Sequence, residues 1–185
     1  MDAIELLKHD HRMVEQLFTD YDVAGGPPGG DAQRRGVVEV LIRELSKHAA
    51  LEELIFYPFA KQLLPDGAEE IEEHLAEHME AKNLLVELDR LSEGDDRERE
   101  LVAHLQQAIQ EHIREEEDDL MARVRDAADQ QALDELGTLI DEGKSKAPTR
   151  AHPHAPDEPP ALAMAAPLAT IFDRLRDRLQ GRPQT

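Results

Sequence analysis

The chain of 185 residues is long enough for one domain with a sizeable core and some excess, and it carries 41 acidic against 21 basic side chains, a formal charge of −20. That charge repels a phosphate backbone and an anionic leaflet alike, so no nucleic acid and no membrane partner is expected, whereas it suits the solvated outer faces of a helical bundle. The absence of cysteine excludes disulfides, thiol catalysis and iron–sulfur clusters, so a bound metal would be held by nitrogen and oxygen alone.

Asp2 followed by Glu5 makes a capping box for a first helix, which carries Ile4, Leu7, Val14 and Phe18 on one side and His11 at the edge of that face. The helix ends by Val23, before Gly25-Gly-Pro-Pro-Gly-Gly30, a run that makes a loop. Asp31 is placed to cap a second helix with Val37, Leu41, Leu45, Phe56 and Phe59 on its apolar face and His48 and Glu52 in the middle of it. Pro58 is expected to kink this helix or end it early, because it removes a hydrogen bond and clashes with the preceding turn. Tyr57 lies off the face unless Pro58 twists the helix, and Phe56, on the face, is placed to shield a site from water.

Pro65-Asp66-Gly67 turns the chain into a third helix, from about Ala68 to Leu91, whose stripe of Ile71, Leu85 and Leu88 includes His74 and His78. A fourth helix begins after Asp95 or Asp96 and buries Leu101, Leu105, Ala108, Ile109 and Leu120, with His112 and Glu116 at the centre of its face. Short connections make an up-and-down antiparallel four-helix bundle the expected all-α architecture. A short extra helix from Gln130 to Glu142, capped by Asp129 and stopped by Gly143, completes a unit spanning 1–143 and is expected to pack across one end of the bundle. A Pro-rich linker follows over 144–166, and 167–185 reads as an amphipathic tail helix with Leu168, Ile171, Phe172, Leu175 and Leu179 in one stripe, able to dock on its own bundle or on a partner. No basic region followed by an apolar core opens the chain and no apolar run has bilayer length, so a cytoplasmic location is expected.

Nine histidines are a high share, while four Phe, two Tyr and no Trp leave little to line a pocket for a large flat cofactor. One histidine on an apolar face is more often a hydrogen-bonded core residue than a ligand. The set argues otherwise: each of the four helices brings at least one imidazole to the face defined by its apolar residues, and two add a carboxylate one turn after a histidine. Burying Glu52 and Glu116 without counter-charge costs several kcal/mol each, and a metal centre removes that conflict. Two divalent cations against two carboxylates and a bridging hydroxide leave a nearly neutral unit. Seven side chains, His11, His48, Glu52, His74, His78, His112 and Glu116, are more than one ion can use. This inventory favours iron, with manganese or zinc less suited. His9 is the rival to His11 but lies further from the apolar face, His104 falls off the buried stripe, and His152 and His154 sit in the Pro-rich linker.

The motifs Asp10-His11-Arg12, His48-x-x-x-Glu52-Glu53 leading to Phe56-Tyr57-Pro58, Glu73-His74-x-x-x-His78, and His112-x-x-x-Glu116-Glu117 resemble, in order and spacing, those of the hemerythrin-like HHE cation-binding family, from Asp2 to Val124. The resemblance implies a four-helix bundle around two non-haem iron ions, with His74, His78 and His112 on one, His11 and His48 on the other, and Glu52 and Glu116 bridging. Oxygen-carrying members have an Asp five residues after the last histidine. Here Glu116 stands at four and Glu117 at five, and regular helix geometry favours Glu116. The expected activity is binding or sensing of dioxygen; the competing readings are a peroxide- or nitric-oxide-processing enzyme of catalase-like type, and a metal-stapled interaction module.

Overall fold

The structure, a computed structural model, describes residues 1–25, 30–153, 170, 171 and 174. Those residues are all-helical, without strands. Helix α1 spans Ala3–Val23 and α2 Gly30–Leu51; α2 passes through a π-helical turn, Glu52–Phe56, directly into α3, Tyr57–Leu63. Helix α4 spans Gly67–Arg90 and α5 Glu98–Glu115; α5 likewise passes through a π-helical turn, Glu116–Leu120, into α6, Met121–Ala127, and α7 spans Gln130–Lys144.

The rods close a ring, α1 against α2, α2 against α4, α4 against α5, and α5 back against α1. Two apolar clusters fill the ring at its two ends. Each rod crosses from one cluster to the other at its histidine. Leu7 and Val14 flank His11 from opposite clusters, as Leu45 and Leu51 flank His48, Ile71 and Ala81 flank His74 and His78, and Ile109 and Leu120 flank His112 and Glu116. The order of crossing reverses from rod to rod, which makes the bundle up-and-down, with a buried polar layer between two hydrophobic halves.

The first helix starts as its sequence dictates. The Asp2 side chain accepts from the Glu5 amide at 2.9 Å while Glu5 accepts from the Asp2 amide at 3.2 Å, and Arg125 and Gln130 reach the same carboxylate. Asp31 does not cap α2. It lies inside the first turn, after Gly30, and pairs with Arg34. In α2 and α5 the buried stripes are shifted slightly from the expected ones: Val38 is buried where Val37 is partly exposed, and Val102 and Ile113 are buried where Leu101 and Ala108 are partly exposed. Gly94 makes the α4–α5 turn at φ 78°, a conformation glycine adopts without a Cβ penalty.

Pro58 does not end the second rod. It falls in the first turn of α3, immediately after the π-helical turn in which the Tyr57 amide donates to the Glu52 carbonyl. There the rod re-initiates, and a missing N–H costs least.

Helix α7, capped by Asp129, runs to Lys144, through Gly143, and packs Leu133, Leu136 and Ile140 into the cluster that holds Ile4, Leu7 and Ile55. A Cβ at Gly137 would lie 2.7 Å from the Met1 carbonyl oxygen and 2.9 Å from the Ala3 nitrogen, both backbone atoms that cannot turn away. Gly137→Ala is therefore expected to lower the thermal midpoint, the overpacking cost of about 1–3 kcal/mol exceeding the gain in helix propensity of about 1 kcal/mol. A raised midpoint would show that α7 does not sit this closely on the chain start. Of the expected linker and tail, residues 154–169 and most of 170–185 lie outside the described residues. Ile171 is buried in the α7 cluster and Arg174 meets Glu135 at 3.3 Å. Among the described residues no helix is long and apolar enough to cross a membrane.

Candidate metal centre

His11, His48, Glu52, His74, His78, His112 and Glu116 are all buried in the polar layer, and Glu52 and Glu116 are fully so. His11 and His48 bring their Nε2 atoms to 3.1 Å of each other, and His78 and His112 bring theirs to 3.3 Å. Glu52 lies between the pairs, with Oε1 3.1 Å from His48 Nε2 and Oε2 3.3 Å from His78 Nε2. Glu116 lies between them as well, its Oε2 3.3 Å from His11 Nε2 and 3.8 Å from His112 Nε2. Donor atoms of His11, His48, Glu52 and Glu116 fall within 4.8 Å of one another, as do those of Glu52, His78 and His112, so Glu52 belongs to two groups.

His74 stands beside these groups. It meets His112 and Glu77 in a third cluster, with its Nδ1 3.2 Å from Glu77 and its ring stacked on Tyr57. His9 is exposed; so is His104, which pairs with Glu80 at 3.1 Å. His152 is exposed, and His154 lies outside the described residues.

The back of the site explains why the Nε2 atoms face inward. His11 donates from Nδ1 to Glu117 at 2.8 Å, His78 to Glu53 at 2.9 Å and His112 to Glu77 at 2.8 Å. A carboxylate only accepts, so the proton belongs on Nδ1 and the Nε2 lone pair is left pointing into the layer. The two Glu-Glu pairs divide their work. Glu52 and Glu116, first in each pair and first in each π-helical turn, point to the centre, while Glu53 and Glu117 each hold a histidine of a neighbouring rod.

Lone pairs converging on fully buried carboxylates repel. Both oxygens of Glu52 and of Glu116, and Nδ1 of His48, are buried without a hydrogen-bond partner. Such groups cost several kcal/mol unless a cation accepts their electron density. Nitrogen and oxygen ligands held about 2.1 Å from one ion at right angles stand roughly 3 Å apart, the spacing of these pairs. The donor set is imidazole and carboxylate without sulfur. The residues therefore fit metal ions.

Protons take up the same demand for positive charge. Burial disfavours the His11 imidazolium, yet Glu116, Glu117 and Glu52 outweigh it and hold its pKa well above the usual value. His78 is buried too and is nonetheless pushed up to about 9 by Glu52 and Glu53. Glu77 is held far below the usual carboxylate range by the His112 and His74 hydrogen bonds.

Tyr57 is the main residue the helical count misplaces. It is buried, and its hydroxyl lies within hydrogen-bond distance of His78 Nε2, at 3.0 Å. The π-helical turn carries one more residue than an α-turn and brings it inward. Burial raises its pKa, reinforced by Glu116 and Glu52, so the phenol stays protonated. Phe56 is fully buried beside it, with the rings 6.3 Å apart. Glu77 carries no signal in the sequence beyond lying next to His78 and three residues after His74, and Glu53 and Glu117 stand in the motifs above without the backing role they take here.

The chain is similar to known proteins. An uncharacterized hemerythrin-like protein of Schizosaccharomyces pombe is 30% identical over 176 residues, covering 94% of this chain and 84% of that protein. A DNA nickase of Nostoc sp. is 25% identical over 146 residues, 79% of this chain but 40% of the nickase. No solved structure matches significantly. Residues 2–124 match the hemerythrin HHE cation binding domain, and with that span covering all four histidine-bearing rods the chain belongs to the hemerythrin HHE cation-binding family, a metal-binding helical bundle.

Proposed function

We propose that this is a cytoplasmic non-haem di-iron protein that binds or senses dioxygen or a related small oxidant. His11 and His48 serve one ion and His78 and His112 the other, with His74 reaching the second from beside His112, ring centroids 5.5 Å apart. Glu52 and Glu116, each lying between the imidazole pairs, would hold both. The observation that carries this reading is the pair of fully buried carboxylates, all four oxygens without a hydrogen-bond partner, each lying between two imidazole groups. Two irons, when bound, supply one-electron changes and open coordination for a small ligand. Imidazole-rich ligation with more than four donors favours iron over structural zinc.

The chain's own residues set what can reach them. A cavity of about 20 Å³ abuts His11, His48, His78 and His112 and is walled by Val14, Leu45, Ala81, Leu85 and Ile109. It has room for one water-sized molecule and none for an organic substrate. Phe56 and the two apolar clusters close the ends of the layer, and open surface clefts reach its side at His112 and at His74 beside Glu77.

A second reading, catalase-like or nitric-oxide processing, is favoured by one feature: the protonated Tyr57 hydroxyl at the site is a proton donor, which reduction of an oxidant requires. Steady oxygen evolution from added peroxide would select it. The nicking of DNA named for the Nostoc relative is not extended to this chain, which spans 40% of that protein and carries a charge of −20 that opposes docking on phosphate.

The test is metal content after anaerobic loading with ferrous iron and desalting. About two irons per chain are expected, with optical changes that appear on oxygenation and reverse on its removal. Iron near zero would leave the histidine layer as a polar core and overturn the reading.

A further inference from the structure

The three carboxylates behind the inward-facing imidazoles differ in what else they hold. Glu77 accepts from His112 and His74. Glu117 accepts from His11 and meets Lys8 at 3.2 Å, with 34% of the Lys8 side chain and 26% of the Glu117 side chain exposed. Glu53 accepts from His78 on one oxygen and, at 2.7 Å on the other, from Lys82, with both side chains buried. Solvent screens the Lys8 charge strongly and the Lys82 charge much less.

Among the described residues the buried Lys and Arg side chains are Lys82 and Arg34, and Arg34 pairs with Asp31 at the start of α2. A buried ammonium is costly to desolvate. Helix packing does not call for one here. The Lys82 side chain helps to line the small cavity with Leu45, Ala81 and Leu85, a wall that a methionine would complete equally well. What sets Lys82 apart is its register. It follows His78 by one helical turn on α4, so its ammonium reaches the carboxylate that holds the back of that histidine.

We propose that Lys82, acting through Glu53 on His78, is a positioning residue that raises the reduction potential of the metal position bounded by Glu52, His78 and His112, and so makes the two metal positions unequal. A carboxylate accepting from Nδ1–H makes the imidazole a stronger donor through Nε2, which stabilises the more oxidised metal. An ammonium on the other oxygen of that carboxylate drains its charge and opposes the effect. Its own positive charge, little screened, adds to the penalty on the oxidised state. Among the described residues the His11 and His48 side has no equivalent: the cation behind Glu117 is partly solvated, and His48 Nδ1 has no hydrogen-bond partner.

This inference rests on the metal reading above, and the experiment separates the two. Wild type, Lys82→Met, Glu53→Gln and the double variant are loaded anaerobically with ferrous iron, their iron content is measured, and each is titrated electrochemically with the visible absorption as readout. Lys82→Met is expected to keep wild-type iron content and shift a midpoint to lower potential. Glu53→Gln is expected to shift it upward, and the double variant to return close to wild type because the two charges are removed together. Lys82→Arg should restore the wild-type value. If Lys82→Met fails to fold or load, Lys82→Gln, which keeps a donor to Glu53 without the charge, should show the same downward shift. A loaded Lys82→Met or Lys82→Gln protein with the wild-type midpoint overturns this inference alone; a wild-type chain that takes up no iron overturns it together with the metal reading.

Discussion

Replacing Glu52 by alanine is expected to reduce bound iron from about two per chain to one or none, and to abolish most of the stabilisation that iron confers. Glu52 is the side chain whose oxygens face both imidazole pairs at close range, 3.1 Å from His48 and 3.3 Å from His78, and it belongs to both inner donor groups. On the proposed di-iron reading its removal would therefore damage both metal positions, where loss of a histidine would damage one. A metal in thousandfold excess over its dissociation constant stabilises the fold by about 4 kcal/mol. For a chain of this size that corresponds to roughly 10 °C in the thermal midpoint, which the variant should forfeit. The metal-free protein should lose less. Alanine removes a counter-charge of His11, His48 and His78, but it also removes a carboxylate that is fully buried with both oxygens unpartnered. Elemental analysis with paired melting curves, loaded and chelated, checks this. A Glu52→Ala protein that kept two irons and the wild-type spectrum would show that Glu52 is not a bridge.

The second large effect is in pH. In the metal-free protein His78 titrates near 9, above its ordinary value of 6.5, because Glu52 and Glu53 favour the imidazolium more than burial disfavours it. A group whose pKa is raised by folding binds protons more tightly in the native state. Its contribution is fully present below pH 6.5 and is lost as pH rises through about 9. At 1.4 kcal/mol per pH unit, the loss from His78 alone is about 3 kcal/mol across that window. His11, raised by Glu116, Glu117 and Glu52 against its burial, acts in the same direction. With metal bound, the Nε2 atoms donate to cations instead of holding protons, so the loaded protein should be nearly flat over this range. Metal affinity should climb with pH, since each ligand must shed its proton first. Melting curves of chelated and iron-loaded protein from pH 6 to pH 9 should diverge as pH rises. Parallel curves would mean that the imidazole layer does not exchange protons for metal. At the acid end the sign reverses, for Glu77 and Glu52 have lowered pKa values, and their contribution disappears as pH falls below the usual carboxylate range.

The division of labour within each Glu-Glu pair explains how one motif serves two purposes. Glu116 faces His11 and His112 in the centre, and Glu117, pointing elsewhere around the helix, holds His11 from behind at 2.8 Å. The Glu52 and Glu53 pair repeats the scheme, with His78 held from behind at 2.9 Å. A π-helical turn begins at the inward carboxylate of each pair, so both rods change their winding at the metal layer. Such turns occur often at functional sites, where they re-aim side chains that a regular helix would direct away.

The sequence by itself determined the helices and most of the residues on their inner faces. Helical periodicity is local, so Ile4, Leu7, Val14 and Phe18 define an inner face from spacing alone, and His11, His48, Glu52, His74, His78, His112 and Glu116 fall on such faces by the same count. Capping at Asp2 and Asp129 is also local, and both caps form. Only the tertiary structure decided what the count cannot carry. Tyr57 turns inward because the rod winds as a π-helix before Pro58, a change of period that spacing assumes away. His74 faces Glu77 beside the inner groups because its partners come from α5 as much as from its own helix. Glu53, Glu117 and Lys82 find their roles across interfaces: Glu53 with His78 and Lys82 on α4, and Glu117 with His11, 106 residues away. Ligand candidates lie one helical turn apart and can be read along one rod; the groups that orient them and set their charge lie across the gaps between rods, where distance is fixed by packing and leaves no period in the chain.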